Sequence, residues 1–342
     1  MHRSGTSAAT RLLSFLGLHT PQGDDLVPPS SKNPKGYWES MSLVAFNVAI
    51  LNAIGSDFSC PLAVEPGWWD DPRLDGLRRQ APAAFLAAFP IAPFVWKDPR
   101  TCLTFSFWRS ALDVRPVVVL VNRNPLEIVA SSARARGEDQ KVFRLASWER
   151  HLRQALQQIE GLPVLVTDYA SVLSQPVPWA ESARSFLTAA GVPTRPLRAE
   201  DAEEFIDPGL KHSSFTREDF LSDPDVSVAQ KALYTELEQL EGSHPAFAQP
   251  ALPAETRSTD ALLAERLRAK QLEQELARLR ESRRGARARR TYAGVRLRVS
   301  RLFTRADRKD ALADRAVRTP QAERTPDRPA AQSADPQRAR VR

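Results

Sequence analysis

Cysteine is nearly absent: Cys60 and Cys102 are the only two in 342 residues. Two thiols exclude a disulfide framework and fall short of the ligand count of an ordinary zinc site. No apolar stretch approaches the length of a membrane span, and no secretory leader pattern is visible. These absences make a reducing cytoplasm the expected setting, with a membrane surface as a second possibility, and make both cysteines inert packing residues. Aromatic residues also run out along the chain, since beyond Gln249 there are only Tyr292 and Phe303. A region so poor in large apolar side chains cannot build a core of its own.

What is present lies mostly ahead of that point. All seven tryptophans fall between Trp38 and Trp179, which places one globular domain at residues 1–247, followed by the Pro-rich stretch Pro245–Pro253. Charge divides the same way: residues 255–342 carry 24 Lys and Arg against 12 Asp and Glu, so the basic balance of +7 belongs to this end of the chain. A basic patch must sit on the surface that binds, so nucleic acid is not an expected partner of the domain. In 258–284, Leu262, Leu263, Leu267, Leu272, Leu276 and Leu279 recur at helical spacing among Glu and Arg. This predicts an amphipathic helix or short coiled coil over 255–290, either associating with a partner or a second copy or docking back on the core. The composition of 291–342 predicts a basic, largely disordered tail. Within it, 289–304 alternates basic and apolar residues, which suits weak contact with an anionic membrane surface or a solvated linker.

The domain reads as alternating strands and helices. Apolar, β-branched runs at Pro93–Trp96, Pro116–Val121 and Pro163–Thr167 are each followed by a polar turn and a helical pattern. Helices are expected at 7–18, 40–54, 72–89, 125–136, 140–160 and 179–190. The simplest fold is a three-layer α/β arrangement around a central parallel sheet.

Two motifs carry chemistry. Arg3-Ser4-Gly5-Thr6-Ser7 stands directly before the first helix, where a flexible glycine and free N–H groups form a cradle for phosphate or sulfate. An ordinary serine or threonine helix cap is the plainer alternative. The loop lacks the lysine of a nucleoside-triphosphate P-loop; its cation, Arg3, precedes the glycine. Further on, a strand leads into Asn122-Arg123-Asn124-Pro125 and a helix containing Ser131, which sets Arg123 at the carboxyl end of a strand, where doubly wound sheets bind ligands. An arginine fork suits a terminal phosphate, and a surface ion pair is its bland alternative.

Together these motifs resemble the sulfotransferases that use 3′-phosphoadenosine 5′-phosphosulfate (PAPS). The resemblance implies a PAPS-type P-loop-like fold, with Arg3, Ser4, Gly5, Thr6 and Ser7 at the 5′-phosphosulfate and Arg123 and Ser131 at the 3′-phosphate. It implies transfer of a sulfuryl group to a hydroxyl acceptor of unknown class, such as a glycan or lipid, without a metal. Glu39, after the loop Pro34-Lys35-Gly36-Tyr37-Trp38, is a candidate general base or a carboxylate at a helix start. Phe94-Val95-Trp96-Lys97-Asp98-Pro99-Arg100 reads as a strand ending in three charges, with Lys97 as neutraliser of the departing oxygen and Asp98 as rival base, or with a structural ion pair of Lys97 with Asp98 or of Asp98 with Arg100. The Lys-Thr-His-x-Pro pattern of small-molecule members is not matched, because no histidine follows Lys97. Tyr169 is a core aromatic or a neighbour of the adenine. The family places a strand immediately before its phosphosulfate loop, so an apolar run of about five to eight residues is expected upstream of Met1. A phosphoryl-transferring P-loop enzyme and a non-catalytic scaffold working through its C-terminal helix remain the alternatives.

Overall fold

The computed structural model describes residues 3–31, 33–136, 140–207, 209 and 213–280. The expectations for 291–342, for the membrane-facing segment 289–304 and for the end of 258–284 therefore lie outside the described residues.

Mixed helix and strand is the observed class. Helices α1 (Thr6–Phe15), α2 (Met41–Ala53), α3 (Asp75–Ala88) and α4 (Thr101–Ala111) precede strand β1 (Val118–Asn122). Helices α5 (Pro125–Arg136) and α6 (Lys141–Gln158) lead to β2 (Val164–Asp168). Then come α7 (Tyr169–Ser174), α8 (Pro176–Ala189), α9 (Ala199–Phe205), α10 (Arg217–Ser222), α11 (Val228–Gln239) and β3 (Gly242–His244). Residues 259–280 form a further helix, α12.

The sheet is small, ordered β1-β2-β3. β1 and β2 are parallel, with Val118 opposite Val164 and Asn122 opposite Asp168, while β3 runs antiparallel on the far edge of β2. Both parallel strands follow a proline, Pro116 or Pro163, a residue tolerated at a strand start because it has no N–H to offer the ladder. The continuous apolar run of β2 is buried over Val164–Thr167, whereas in β1 Val118, Val119 and Leu120 are half-buried and Val121 and Asn122 buried. Val118 and Leu120 pack with Ile128, Trp148 and Leu152, whereas Val119 and Val121 pack with Leu13, Ala183 and Leu187.

The expected strand at Pro93–Trp96 is not a strand among the described residues. Phe94 makes a single parallel bridge to His19, because extended backbone needs a ladder on at least one edge and His19 supplies only one rung. A central parallel sheet of the expected size is thus not what the described residues form. Helix α1 ends at Phe15, short of the expected 18, where the chain reverses through Gly17 at φ 96°. Helix α4 was not expected. Its Thr, Cys and aromatic content is a weak helix former, yet Leu103, Thr104, Phe107 and Trp108 fall on one face and are all buried.

Helix α6 is the most thoroughly enclosed element, with polar residues inside it as well as apolar ones. Glu149 is fully buried and accepts hydrogen bonds from the Thr256 N–H (3.1 Å), the Thr256 hydroxyl (2.7 Å) and Gln230 (3.2 Å). Arg150 donates to both oxygens of Glu255, at 2.8 and 2.6 Å. These bonds pin 255–260 onto α6. Leu263 and Leu267 then bury themselves against Cys60, Phe143 and Ala146. The first part of the leucine pattern is therefore spent on the chain's own core, while Leu272, Leu276 and Leu279 stay about half exposed. Two compact units divide the chain, Met1–Leu272 and Glu273–Arg342. Among the described residues no helix is long and apolar enough to cross a membrane.

Candidate functional site

The loop ahead of α1 closes by way of left-handed backbone. Gly5 has φ 88° and Arg3 has φ 65°, a conformation that costs an L-residue free energy. A Cβ at Gly5 would lie 2.0 Å from the ring of Tyr169, so the absence of a side chain is what lets the loop rest on that ring. Gly5 occupies the N-cap position of α1 with no side-chain cap hydrogen bond. Its carbonyl accepts the N–H groups of Ala8 and Ala9. The N–H groups of Thr6 and Ser7, at the start of the helix, have no intrahelical partner, which leaves the positive end of α1 available to an anion. An ordinary serine or threonine cap is not what this helix uses.

Arg123 follows β1 and Ser131 lies in α5, whose start is fixed by Pro125 and by Asn124 Oδ1 accepting the Leu126 N–H at 2.9 Å. The structure joins this second motif to the first. Arg3 Nε donates to Ser131 Oγ at 2.9 Å, and Arg123 Nη1 donates to the Arg3 carbonyl at 2.8 Å. Arg123 also pairs with Glu127 through a 2.8 Å hydrogen bond and lies over the Tyr169 ring, 4.4 Å from its centroid. Burial, and after it the adjacent Arg123 charge, lower the Arg3 guanidinium below its ordinary value. Two arginines held side by side repel each other, and an anion between them would relieve that repulsion. Tyr169 thus serves as a floor for Gly5 and Arg123 while packing partly into the core.

A second cluster gathers on the other side of the loop. Lys97 forms a buried ion pair with Glu39 and also donates to Ser7 Oγ at 3.3 Å. Ser7 Oγ accepts from Asn33 Nδ2 at 3.3 Å and donates to the Tyr37 carbonyl at 3.4 Å, so the Pro34–Trp38 loop folds over the first turn of α1. Arg100 Nη1 stands 3.8 Å from the other Glu39 oxygen. Burial raises the Glu39 carboxyl above its ordinary value against the opposing pull of Lys97, and burial lowers the Lys97 ammonium. Glu39 does not open α2: Ser40 is the N-cap, accepting the Leu43 N–H at 3.1 Å, and Glu39 precedes it. Its carboxylate is directed to Lys97 rather than to the helix dipole.

Asp98 is differently placed. It is 3% exposed and accepts from Asn47 Nδ2 at 2.8 Å, from Arg100 Nη1 at 2.9 Å and from the Arg100 N–H at 2.9 Å. Asn47 in turn accepts from Thr104 and from the Trp108 indole, both at 2.8 Å. Asp98 is the centre of a polar knot tying α2 to α4, which is the structural-ion-pair alternative. Sequence pattern gave no sign of Asn47 or Asn33, because a single asparagine in a helix or loop has no periodicity or spacing to mark it.

Ser4, Thr6, Lys97, Asn122 and Arg123 line a shared cavity of about 460 Å³, whose other walls are mostly apolar, with Thr10, Asp98, Thr101, Arg109 and Arg115 among them. The structure therefore brings the Arg3–Ser7 loop, Arg123, Ser131, Glu39 and Lys97 together around the start of α1. Among the described residues no group of three or more His, Cys, Asp or Glu side chains could hold a metal ion. No family model, no curated protein and no solved structure matches this chain.

Proposed function

We propose that this protein is a sulfotransferase, taking a sulfuryl group from PAPS to an acceptor hydroxyl. The observation that carries the proposal is the convergence of Arg3 with Arg123 and Ser131, which lie 120 and 128 residues further along the chain, at the N-terminus of α1, which has no side-chain cap. That grouping fits a ligand with phosphate at two places: the loop N–H groups and Lys97 at the 5′ side, Arg123 and Ser131 at the 3′ side. The fold that goes with this function is a three-layer α/β arrangement around a central parallel sheet, of which β1 and β2 would be part.

The donor supplies an activated sulfate. Glu39 takes the proton of the acceptor hydroxyl, whose oxygen forms the new S–O bond as the bond to the 5′-phosphate oxygen breaks. Lys97, already within reach of both Glu39 and Ser7, neutralises the charge that grows on that departing oxygen. 3′-Phosphoadenosine 5′-phosphate leaves with both phosphates. Positioning and charge stabilisation do most of the work, as in phosphoryl transfer. Asp98, locked by Asn47 and Arg100, holds the end of the extended segment that presents Lys97.

The experiment is incubation of the purified chain with PAPS labelled at sulfur and pooled glycan and lipid extracts. Label appearing in an acceptor fraction supports the proposal, and transfer of phosphate from Mg-ATP in its place would assign the site to phosphoryl chemistry.

A further inference from the structure

Helix α12 runs without a break over 259–280, and its leucines fall on two faces. Leu263 and Leu267 are buried against Cys60, Phe143 and Ala146. On the same face Lys270 donates to Asp57 Oδ2 at 2.6 Å and to Ser59 Oγ at 3.2 Å. At about 100° of rotation per residue, Ala269, Leu272, Leu276 and Leu279 gather about half a turn round the helix from Leu263 and Leu267. Leu272, Leu276 and Leu279 are each 52% exposed. Apolar surface turned to water carries a free-energy cost that pairing relieves.

The spacing of this second stripe is that of a coiled-coil seam. Ala269 and Leu276 stand at the a positions of two successive heptads, and Leu272 and Leu279 at the d positions. The e and g positions beside such a seam select what lies against it. Here the e positions hold Glu273 and Arg280 and the g positions hold Arg268 and Glu275, all four exposed. In a parallel pair each g residue meets the e residue of the next heptad in the other helix. Arg268 would then face Glu273 of a second copy, and Glu275 would face its Arg280. Both contacts, each made twice by symmetry, join opposite charges. In an antiparallel pair with the leucines still facing, Glu273 would meet Glu273 of the second copy and Glu275 would meet Glu275, and like charges repel. The helix is therefore complementary to itself in one orientation.

We propose that α12 pairs with α12 of a second copy of this chain as a short, parallel, in-register, two-stranded coiled coil. Ala269, Leu272, Leu276 and Leu279 form its seam, with Arg268 against Glu273 and Glu275 against Arg280 along its flanks. Docking of Leu263, Leu267 and Lys270 holds the helix formed before it pairs, which lowers the ordering cost of association. The seam spans only two heptads, because Arg283 stands at the next a position. The pair therefore forms at high concentration and dissociates on dilution, so unfolding of dilute protein reports the monomer. The inference rests on one helix face and is independent of the sulfuryl-transfer proposal.

Sedimentation velocity of the full chain between about 1 μM and about 200 μM, a range that brackets weak association, is expected to show a monomer giving way to a dimer. Leu272→Gln combined with Leu276→Gln should weaken that dimer about tenfold or more. Charge reversal tests the partner. Arg268→Glu with Arg280→Glu makes all four flanking positions acidic, and Glu273→Arg with Glu275→Arg makes all four basic. Each variant alone should stay monomeric, and an equimolar mixture of the two should form a heterodimer. An Ala269→Cys chain, oxidised at high concentration, tests orientation and should cross-link to itself well beyond the level of the unmodified chain, because identical positions meet in the parallel register. A chain that stays monomeric across the range would assign the stripe to a different protein and overturn the proposal. So would charge variants that each dimerise as the unmodified chain does, or a dimer that Ala269→Cys fails to cross-link.

Discussion

Gly5 is the residue where backbone and side-chain requirements meet. Gly5→Ala puts a methyl group into the Tyr169 ring and forces an L-residue into the left-handed region. The backbone part alone is worth about 1–2 kcal/mol. We expect a lower urea midpoint for Gly5→Ala, with only the clash relieved in a Tyr169→Ala background. Midpoints equal to those of the unmodified chain would contradict the loop geometry. Glu39 offers a test that separates chemistry from folding. Its carboxyl is raised above its ordinary value by burial, so its favourable contribution to folding is full below the unfolded value near 4.5 and is lost as pH rises through the folded value. As a base it must be ionised, so the acidic limb of kcat/KM should lie above the ordinary carboxylate range. Glu39→Gln should remove that limb and lower kcat/KM by about 10²–10⁴-fold. It also leaves Lys97 without its buried partner, at a cost of about 3 kcal/mol, so Glu39→Asp, which keeps the charge, is the companion variant. A limb that survives in Glu39→Gln would remove Glu39 from the chemistry. The candidate site was legible at this scale where a residue belonged to a motif with fixed spacing, as Gly5, Arg123 and Ser131 do. The role of Glu39 against that of Asp98 was not, because two buried carboxylates differ only in the partners that the fold brings to them.

Elements were legible where one physical signal dominated. The Val-rich runs after Pro116 and Pro163 became β1 and β2, and Pro125 marked the start of α5. Helix α4 was hidden because its propensity is weak and its burial comes from contact with α2, α3 and α6, which no local window contains. The Phe94–Trp96 run has strand composition without a full ladder, and composition does not report the number of partners. Helix α12 shows a third limit: a leucine spacing identifies an apolar face but not what covers it. Glu149 and Arg150, which pin the segment leading into it, carry no sequence mark of that role. Leu263→Ala should cost about 2–5 kcal/mol, the usual range for a buried leucine, since Leu263 is fully buried against Cys60 and Phe143. Leu276→Ala, at an exposed position, should change stability by less than about 0.5 kcal/mol. Equal losses from the two substitutions, measured by denaturant unfolding, would contradict the docking of the helix start.

At the scale of the molecule, the acidic balance of the domain and the basic balance of 255–342 are opposite in sign. The net charge of the whole therefore says little about the cleft, where Arg3 brings positive charge to the head of α1 while Arg123 and Lys97 are each paired with a carboxylate, Glu127 and Glu39. The central claim is that the Arg3–Gly5 turn, with Arg123 and Ser131, holds a nucleotide phosphorylated at both the 3′ and 5′ positions. Calorimetric titration of 3′-phosphoadenosine 5′-phosphate into the chain tests it most directly. The account predicts saturable 1:1 binding, weakened about tenfold or more in Ser131→Ala and Arg123→Lys, with adenosine 5′-phosphate binding far less tightly. No heat from a chain that unfolds cooperatively, or binding that is indifferent to the 3′-phosphate, would contradict it.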